Sequence, residues 1–236
     1  FGLPFRVAMI QNRFGSQFID RIGRGSSSGM PDYALEAAHG GLVVGIDEVG
    51  RGPLAGPVVA AAVAFTSEPD EKLSALLDDS KKPTAKRRLI AYDRLIQTPD
   101  ILTGIGAASV TEIEKINIAQ ACHLAMRRAL DRLGRMPDLA LVDGKHAPKL
   151  PCPIQMVIGG DGISLSIAAA SIIAKITRDR LMARLAVRHD AYGWERNAGY
   201  GTAVHMSGLK IRGVTPHHRR GFAPIRNMIE AKAHAA

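Results

Sequence analysis

The sequence predicts an α/β fold: a mixed five-stranded sheet flanked by helices, with a small helical subdomain at its C-terminal end. Three observations carry this. The first three apolar, strand-like runs follow one another as a meander, and the later ones alternate with long helical stretches. Beyond Tyr192 the density of Gly and Pro rises and strand patterns stop.

The elements follow in order. Leu42-Val43-Val44-Gly45-Ile46 is a β-branched run leading into Asp47-Glu48, and Val58 to Val63 is a second run across a Gly/Pro-rich turn. Ile101, Thr103, Ile105 and Ala107 alternate as a third strand. Thr111-x-x-Glu114 has the form of a capping box and opens a helix expected to reach about Leu133. Leu139–Val142 and Ile154–Ile158 are the fourth and fifth strands, and Ser166 to about Val187 is a long Ala-rich helix. Residues 1–35 read as a flexible appendage, with four of the six Phe and then Gly23-Arg24-Gly25-Ser26-Ser27-Ser28-Gly29. The chain opens on Phe1, and Met30 is the expected start. Residues 36–190 then form the main domain and 191–236 the helical subdomain.

Composition narrows the function classes. With 236 residues, 46% hydrophobic content and mean hydropathy +0.02, the chain can bury a sizeable core and is not fibrous. No apolar run approaches the roughly 20 residues that cross a bilayer, so no membrane role is expected. Cys122 and Cys152 stand apart, which fits neither a disulfide framework nor a zinc site and points to the cytoplasm. The net charge of +9 favours a polyanionic partner. From His205 onward six Lys or Arg face one acid, Glu230, making this end a candidate basic patch.

Four acids share an unusual address. Asp47 and Glu48 end the first strand, Asp143 ends the fourth, and Asp161 follows the fifth in Gly159-Gly160-Asp161-Gly162. Acids at strand ends converge at one edge of a sheet. Several carboxylates together repel one another unless a cation neutralises them. Oxygen donors without His or Cys favour Mg²⁺ or Mn²⁺, and such ions beside a basic surface suit phosphodiester hydrolysis. Any one of these acids is more often a turn or cap residue, so spacing alone leaves function open. Gly50-Arg51-Gly52 lacks the dinucleotide-binding pattern, but its two glycines expose backbone to a ligand and Arg51 can face a phosphate. A plain tight turn explains it equally well. Ser171 and Lys175 share one helical face and can reach a phosphate, unless Lys175 pairs with Asp179 and Ser171 serves packing.

Taken together, these segments resemble ribonuclease HII, the type 2 ribonuclease H family. The resemblance rests first on Gly45-Ile46-Asp47-Glu48-Val49-Gly50-Arg51-Gly52-Pro53-Leu54-Ala55-Gly56-Pro57-Val58-Val59. It continues through Asp79-Ser80-Lys81-Lys82, Val142-Asp143-Gly144, Gly160-Asp161, Ala169 to Lys175, Arg178-Asp179, Gly199-Tyr200-Gly201-Thr202 and His218-Arg219-Arg220, over roughly Pro31 to Phe222. It implies a ribonuclease H-like fold and an endonuclease that hydrolyses RNA in RNA–DNA hybrids and cuts 5′ of single ribonucleotides in duplex DNA. The ends would be 3′-hydroxyl and 5′-phosphate. It further implies that Asp47, Glu48, Asp143 and Asp161 are the catalytic metal ligands, holding two Mg²⁺ or Mn²⁺ ions with substrate bound. Gly50, Arg51 and Gly52 would sense the 2′-hydroxyl, Tyr200 would pack on the sugar at the RNA–DNA junction, and Lys81 would meet the substrate backbone. Arg51 and the short N-terminal segment favour HII over HIII.

The remaining expectations are plainer. Arg219 and Arg220 read as solvated or general duplex contacts. His217 and His218 read as core or surface residues rather than zinc ligands. Asp179 reads as structural. A monomer is expected, and the sequence leaves recruitment by a sliding clamp open. Two rival functions are another nuclease or strand transferase of the same fold and a non-catalytic hybrid-binding protein. The latter sits badly with four intact acids, which would repel a phosphate backbone.

Overall fold

The computed structural model describes residues 30–78 and 84–234. Its sheet contains β1 (Val43–Val49), β2 (Val58–Phe65), β3 (Ile101–Ala108), β4 (Leu139–Asp143) and β5 (Ile154–Val157), in the order β3-β2-β1-β4-β5. β1, β2 and β3 form the expected antiparallel meander, while β4 runs parallel to β1 and β5 parallel to β4. β1 runs on through Asp47 and Glu48 to Val49, so the two acids lie within its last turns of pleat rather than beyond it.

β2 is buried at every position because helices cover both of its faces. On one side lies α4 (Val110–Asp131) and on the other α5 (Leu165–Arg188); the earlier helices are α1 (Ala34–His39), α2 (Glu71–Leu77) and α3 (Ala85–Gln97). Ala60, Ala62 and Ala64 pack toward α4, whereas Ala61, Val63 and Phe65 pack toward α5 and α3. Small residues set the spacing. A Cβ added at Gly45 would lie 2.1 Å from the Ser166 carbonyl carbon, so only glycine lets α5 rest on β1 this closely. The first residues described join this body. Asp32 bridges to Ser164, and the buried Glu36 carboxylate accepts hydrogen bonds from the hydroxyls of Ser164 and Ser166 at 2.6 Å each.

The start of α4 differs from the expectation. Its capping box is Ser109 with Glu112, not Thr111 with Glu114. β3 ends at Ala108, so the helix begins as the chain leaves the sheet, and Glu112 gains an ion pair with Arg128 at 2.7 Å. Glu114 instead accepts from the Arg220 N–H at 3.1 Å, tying α4 to the C-terminal segment. The helix is also broken at Asn117 (φ 63°, ψ 166°), whose Oδ1 accepts from the N–H groups of Ala119 and Gln120 and restarts the helix as a cap. Ile116, just before the break, is exposed, and the buried face resumes at Ala121 and Cys122.

The C-terminal subdomain contains α6 (Trp194–Asn197), α7 (Ala203–Arg212) and α8 (Ala223–His234). Tyr192, Trp194, Leu209 and Ile225 are its core, joined by Met182 from α5 and by Leu54 and Ala55 from the β1–β2 turn. Tyr192 stacks on Trp194 at 5.0 Å. Two buried histidines complete it. The Thr215 N–H donates to His218 Nδ1 at 3.0 Å, which leaves the proton on His218 Nε2 to donate to His205 Nε2, also at 3.0 Å. His205 Nδ1–H then donates to the Tyr200 carbonyl at 2.9 Å. Neither ring has room for a second proton without losing an acceptor, and His218 is a core residue.

Burial lowers the affinity of both rings for protons, His218 down to about 3 from an ordinary 6.5. Below pH 6.5 the unfolded chain takes up protons that the native one refuses, so this stability is present above that value and lost as pH falls. By pH 5 His218 alone is expected to cost the subdomain about 2 kcal/mol. Asp47, described below, slopes oppositely, so a local readout is needed. Trp194, the sole tryptophan, contacts both rings, and its buried emission is expected to fade between pH 6 and 4. Constant emission across that range would remove the two histidines as an acid-labile point.

Candidate active site

β1 and β4 lie side by side with Ile46 opposite Val142, so one further step along each brings Asp47 beside Asp143. Asp143 Oδ1 accepts from the Gly160 N–H at 2.8 Å, which ties the 3₁₀ turn Gly160–Gly162, and with it Asp161, to the end of β4. Asp47 Oδ1 accepts from the Glu48 N–H at 2.7 Å, and the Ser171 hydroxyl of α5 also bonds the Asp47 carboxyl. Alternation sends Asp47 toward α5 and Glu48 toward α4. Because the sheet ends here, Glu48 still lines a cleft of about 210 Å³ with Asp161, Ser171, Lys175, Arg88 and Leu77. Lys175 Nζ is paired with Asp179 Oδ1 at 2.6 Å, the alternative that its spacing left open. Lys81 lies outside the described residues.

The electrostatics follow from this crowding. Burial raises Asp47 to about 8, with Glu48 and Asp143 pushing the same way and the Ser171 bond opposing. Burial also raises Glu48, opposed by Arg51, whose guanidinium stands 3.6 Å from its carboxylate. Among the described residues no three His, Cys, Asp or Glu side chains stand ready around one point. The acids line one end of the sheet without closing on a common centre. The donor set is nonetheless oxygen throughout. A carboxyl that must hold a proton near neutrality beside two others is one that a divalent cation can ionise instead. The residues therefore fit Mg²⁺ or Mn²⁺.

Next to the acids, Gly50 has φ 95°, a conformation open to glycine, and a Cβ there would sit 2.1 Å from Arg178 Nε. A Cβ on Gly52 would lie 3.5 Å from Tyr200 Cε1, so the tyrosine ring stands directly beside the turn. That ring is 49% exposed and turned to solvent. The fold thus joins Gly50, Arg51 and Gly52 to Tyr200 and to the acid end of β1.

Two residues of this region escape the sequence reading. Arg219 is fully buried, contrary to the expectation of a solvated or duplex-contacting side chain, while its neighbour Arg220 is exposed. Arg178 is buried as well. Both guanidiniums donate to backbone carbonyls, which gives every guanidinium nitrogen a partner. A signal for Arg178 did exist. It falls on the i, i+4 stripe Ala170, Ala174, Met182 and Ala186, every member of which is buried. Arg219 has no such pattern around it.

A β3-β2-β1-β4-β5 sheet covered by helices, with acids at one end, is the arrangement expected of the ribonuclease H-like fold. Comparison with known proteins narrows this. A sequence model of ribonuclease HII matches residues 44–225. The ribonuclease HII of Gluconobacter oxydans is 84% identical over 207 residues, 88% of this chain and 100% of that one. The chain belongs to the ribonuclease HII family, whose members are metal-dependent endonucleases hydrolysing RNA in RNA–DNA hybrids. Among solved structures, ribonuclease H2 of Pyrococcus horikoshii OT3 superposes with TM-score 0.67 and 26% identity, over 80% of this chain and 98% of that one. The ribonuclease HII in a PCNA complex from Archaeoglobus fulgidus gives TM-score 0.64 at 24% identity, over 77% and 95%. Bst-RNase HIII in complex with Mn²⁺ gives 0.62 at 18%, over 82% and 70%. The last two speak for the fold. No helix among the described residues is long and apolar enough to cross a membrane.

Proposed function

We propose that this chain cuts duplex DNA on the 5′ side of a single embedded ribonucleotide, as well as within longer RNA–DNA hybrids, leaving 3′-hydroxyl and 5′-phosphate ends. The observation that carries this is the contiguity of three parts: the acids of β1, the Gly50-Arg51-Gly52 turn, buried at Gly50 and exposed at Arg51 and Gly52, and the Tyr200 ring beside Gly52. A 2′-hydroxyl is the group that separates RNA from DNA, and backbone polar atoms read it whatever the base. Tyr200 offers a flat apolar face to the neighbouring sugar.

Asp47, Glu48, Asp143 and Asp161 would hold two divalent ions, Mg²⁺ or Mn²⁺; when bound, these would supply activation of a water and charge stabilisation at the leaving oxygen. Asp143 is kept in place by the Gly160 N–H and Asp47 by the Ser171 hydroxyl, so Ser171 acts in this reading through the acid as much as through a phosphate. Lys175 and Arg88 bring positive charge to the cleft that Glu48 and Asp161 line. Lys81 is proposed for the substrate backbone on the family resemblance alone. Residues 36–190, with the stretch from Asp32 that packs onto them, would form the catalytic domain and residues 191–236 the part that grips the duplex. A cytoplasmic location accords with two free cysteines, and a monomer is proposed on the sequence reading alone. An RNase HII of the same fold from Archaeoglobus fulgidus was solved with PCNA, which makes a sliding clamp the partner to test.

The test is cleavage of an end-labelled DNA duplex containing one ribonucleotide, in Mg²⁺ or Mn²⁺, beside an all-DNA control. One cut immediately 5′ of the ribonucleotide is expected, and none in the control. Cutting confined to long hybrids would sink the single-ribonucleotide reading, and binding without any cut would favour a non-catalytic role.

A further inference from the structure

We propose that Arg219 and Arg178 are positioning residues for ribonucleotide recognition, two buried guanidiniums that fix the shape of the β1–β2 turn and lock it to the Tyr200 loop. The proposal rests on the reading of that turn as the 2′-hydroxyl sensor.

The bonds are one-sided. Arg219 donates from Nε to the Gly56 carbonyl at 3.0 Å, from Nη1 to the Arg51 carbonyl at 3.0 Å, and from Nη2 to the carbonyls of Gly50 at 2.6 Å and Gly56 at 2.9 Å. Arg178 donates from Nε to the Pro57 carbonyl at 2.9 Å, from Nη2 to that of Ala55 at 3.1 Å, and from Nη1 to that of Ala198 at 2.8 Å. Five carbonyls of one turn are thus held by two side chains, and Ala198 links them to the segment carrying Tyr200. The main chain adds the same join, with the Leu54 N–H donating to the Gly199 carbonyl and the Arg219 N–H to the Leu54 carbonyl, each at 2.8 Å.

Neither guanidinium has a carboxylate within 4.0 Å among the described residues, so ion pairing is not what keeps these charges buried. What they do is orient peptides. In a planar trans peptide the C=O and the following N–H point opposite ways. Drawing the Gly50 and Arg51 carbonyls inward onto Arg219 therefore turns the N–H groups of Arg51 and Gly52 outward, on the side away from the core. The planar fork of arginine reaches several carbonyls at fixed angles, which an ammonium cannot do. Discrimination is then a property of a preformed backbone, set from beneath by residues that never touch substrate.

The test uses Arg219→Ala and Arg219→Lys in the full chain, with folding checked by circular dichroism. Arg219→Ala is expected to lower kcat/KM on the single-ribonucleotide duplex about 100-fold, mostly in kcat, because the sensor is displaced rather than removed. Affinity for an all-DNA duplex stays within about threefold, since the phosphate-facing cations remain. Millimolar guanidinium restores a large part of the loss, and amide hydrogen exchange at Arg51–Ala55 accelerates while the central strands stay protected. Arg219→Lys keeps the charge and is expected to show the same loss, which also covers the case in which the alanine variant does not fold. Wild-type cleavage and exchange in a folded variant would overturn the proposal, as would an equal loss on both duplexes with no rescue by guanidinium. A wild-type protein that makes no cut at the ribonucleotide would overturn the sensor reading instead. The clasp is then judged by exchange alone, and unchanged protection of the turn in the variant would overturn it.

Discussion

Asp143→Asn is expected to leave a protein that folds and binds RNA–DNA duplex but cuts it at least ~1,000-fold more slowly. The amide oxygen still accepts the Gly160 N–H, so the turn carrying Asp161 keeps its place. What is lost is one negative oxygen among the proposed ligands, and metal stabilisation worth several kcal/mol in the transition state corresponds to roughly this factor. Binding is spared for a second reason. Asp143 raises the proton affinity of both Asp47 and Glu48, and its neutralisation relieves that repulsion toward an incoming phosphate. Single-turnover cleavage and anisotropy binding on the same duplex separate the two effects. Unchanged turnover would take Asp143 out of the metal site.

Tyr200→Ala is expected to reduce selectivity at the RNA–DNA junction by about 10-fold or more, in line with roughly 1–3 kcal/mol for a ring packed on a nucleotide. Overall affinity for duplex should change far less. The ring is half exposed, and the loop is held by its backbone: the Tyr200 carbonyl accepts from His205 Nδ1 and from the Thr202 N–H, and its own N–H donates to the Asn197 carbonyl. Removing the ring therefore leaves the loop standing. Competition between ribonucleotide-containing and all-DNA duplexes reads the selectivity directly, and an equal fall on both would refute the role.

Much of the fold and of the acid site was legible in the sequence. Strand runs such as Val43–Ile46 and Leu139–Val142 end on carboxylates, and parallel pairing of those two strands was enough to bring Asp47 and Asp143 together. The break at Asn117 was not legible, because a lone Asn between Ile116 and Ile118 carries no breaker signal of the kind that Gly or Pro gives. Nor was the burial of Arg219. A charged residue reads as exposed unless its partners can be seen, and here they are backbone carbonyls 163 to 169 residues away, which carry no sequence signature. Arg178 lies 121 residues from the Pro57 carbonyl it holds. Local pattern reports an element's own face; it is silent about which distant main chain that face will meet.

Leu54 and Ala55 belong by sequence to the sheet but by packing to the core around Trp194 and Leu209. The consequence concerns the order in which the molecule is made. Synthesis proceeds from the N-terminus, and domains settle as they emerge. A nascent chain that has delivered α5 already owns the strands that carry the acids. It still lacks His217 and Arg219, the residues that bond Gly56 and Leu54 and close the turn. The residues assigned to cutting are therefore synthesised before those that close the turn assigned to choosing where to cut.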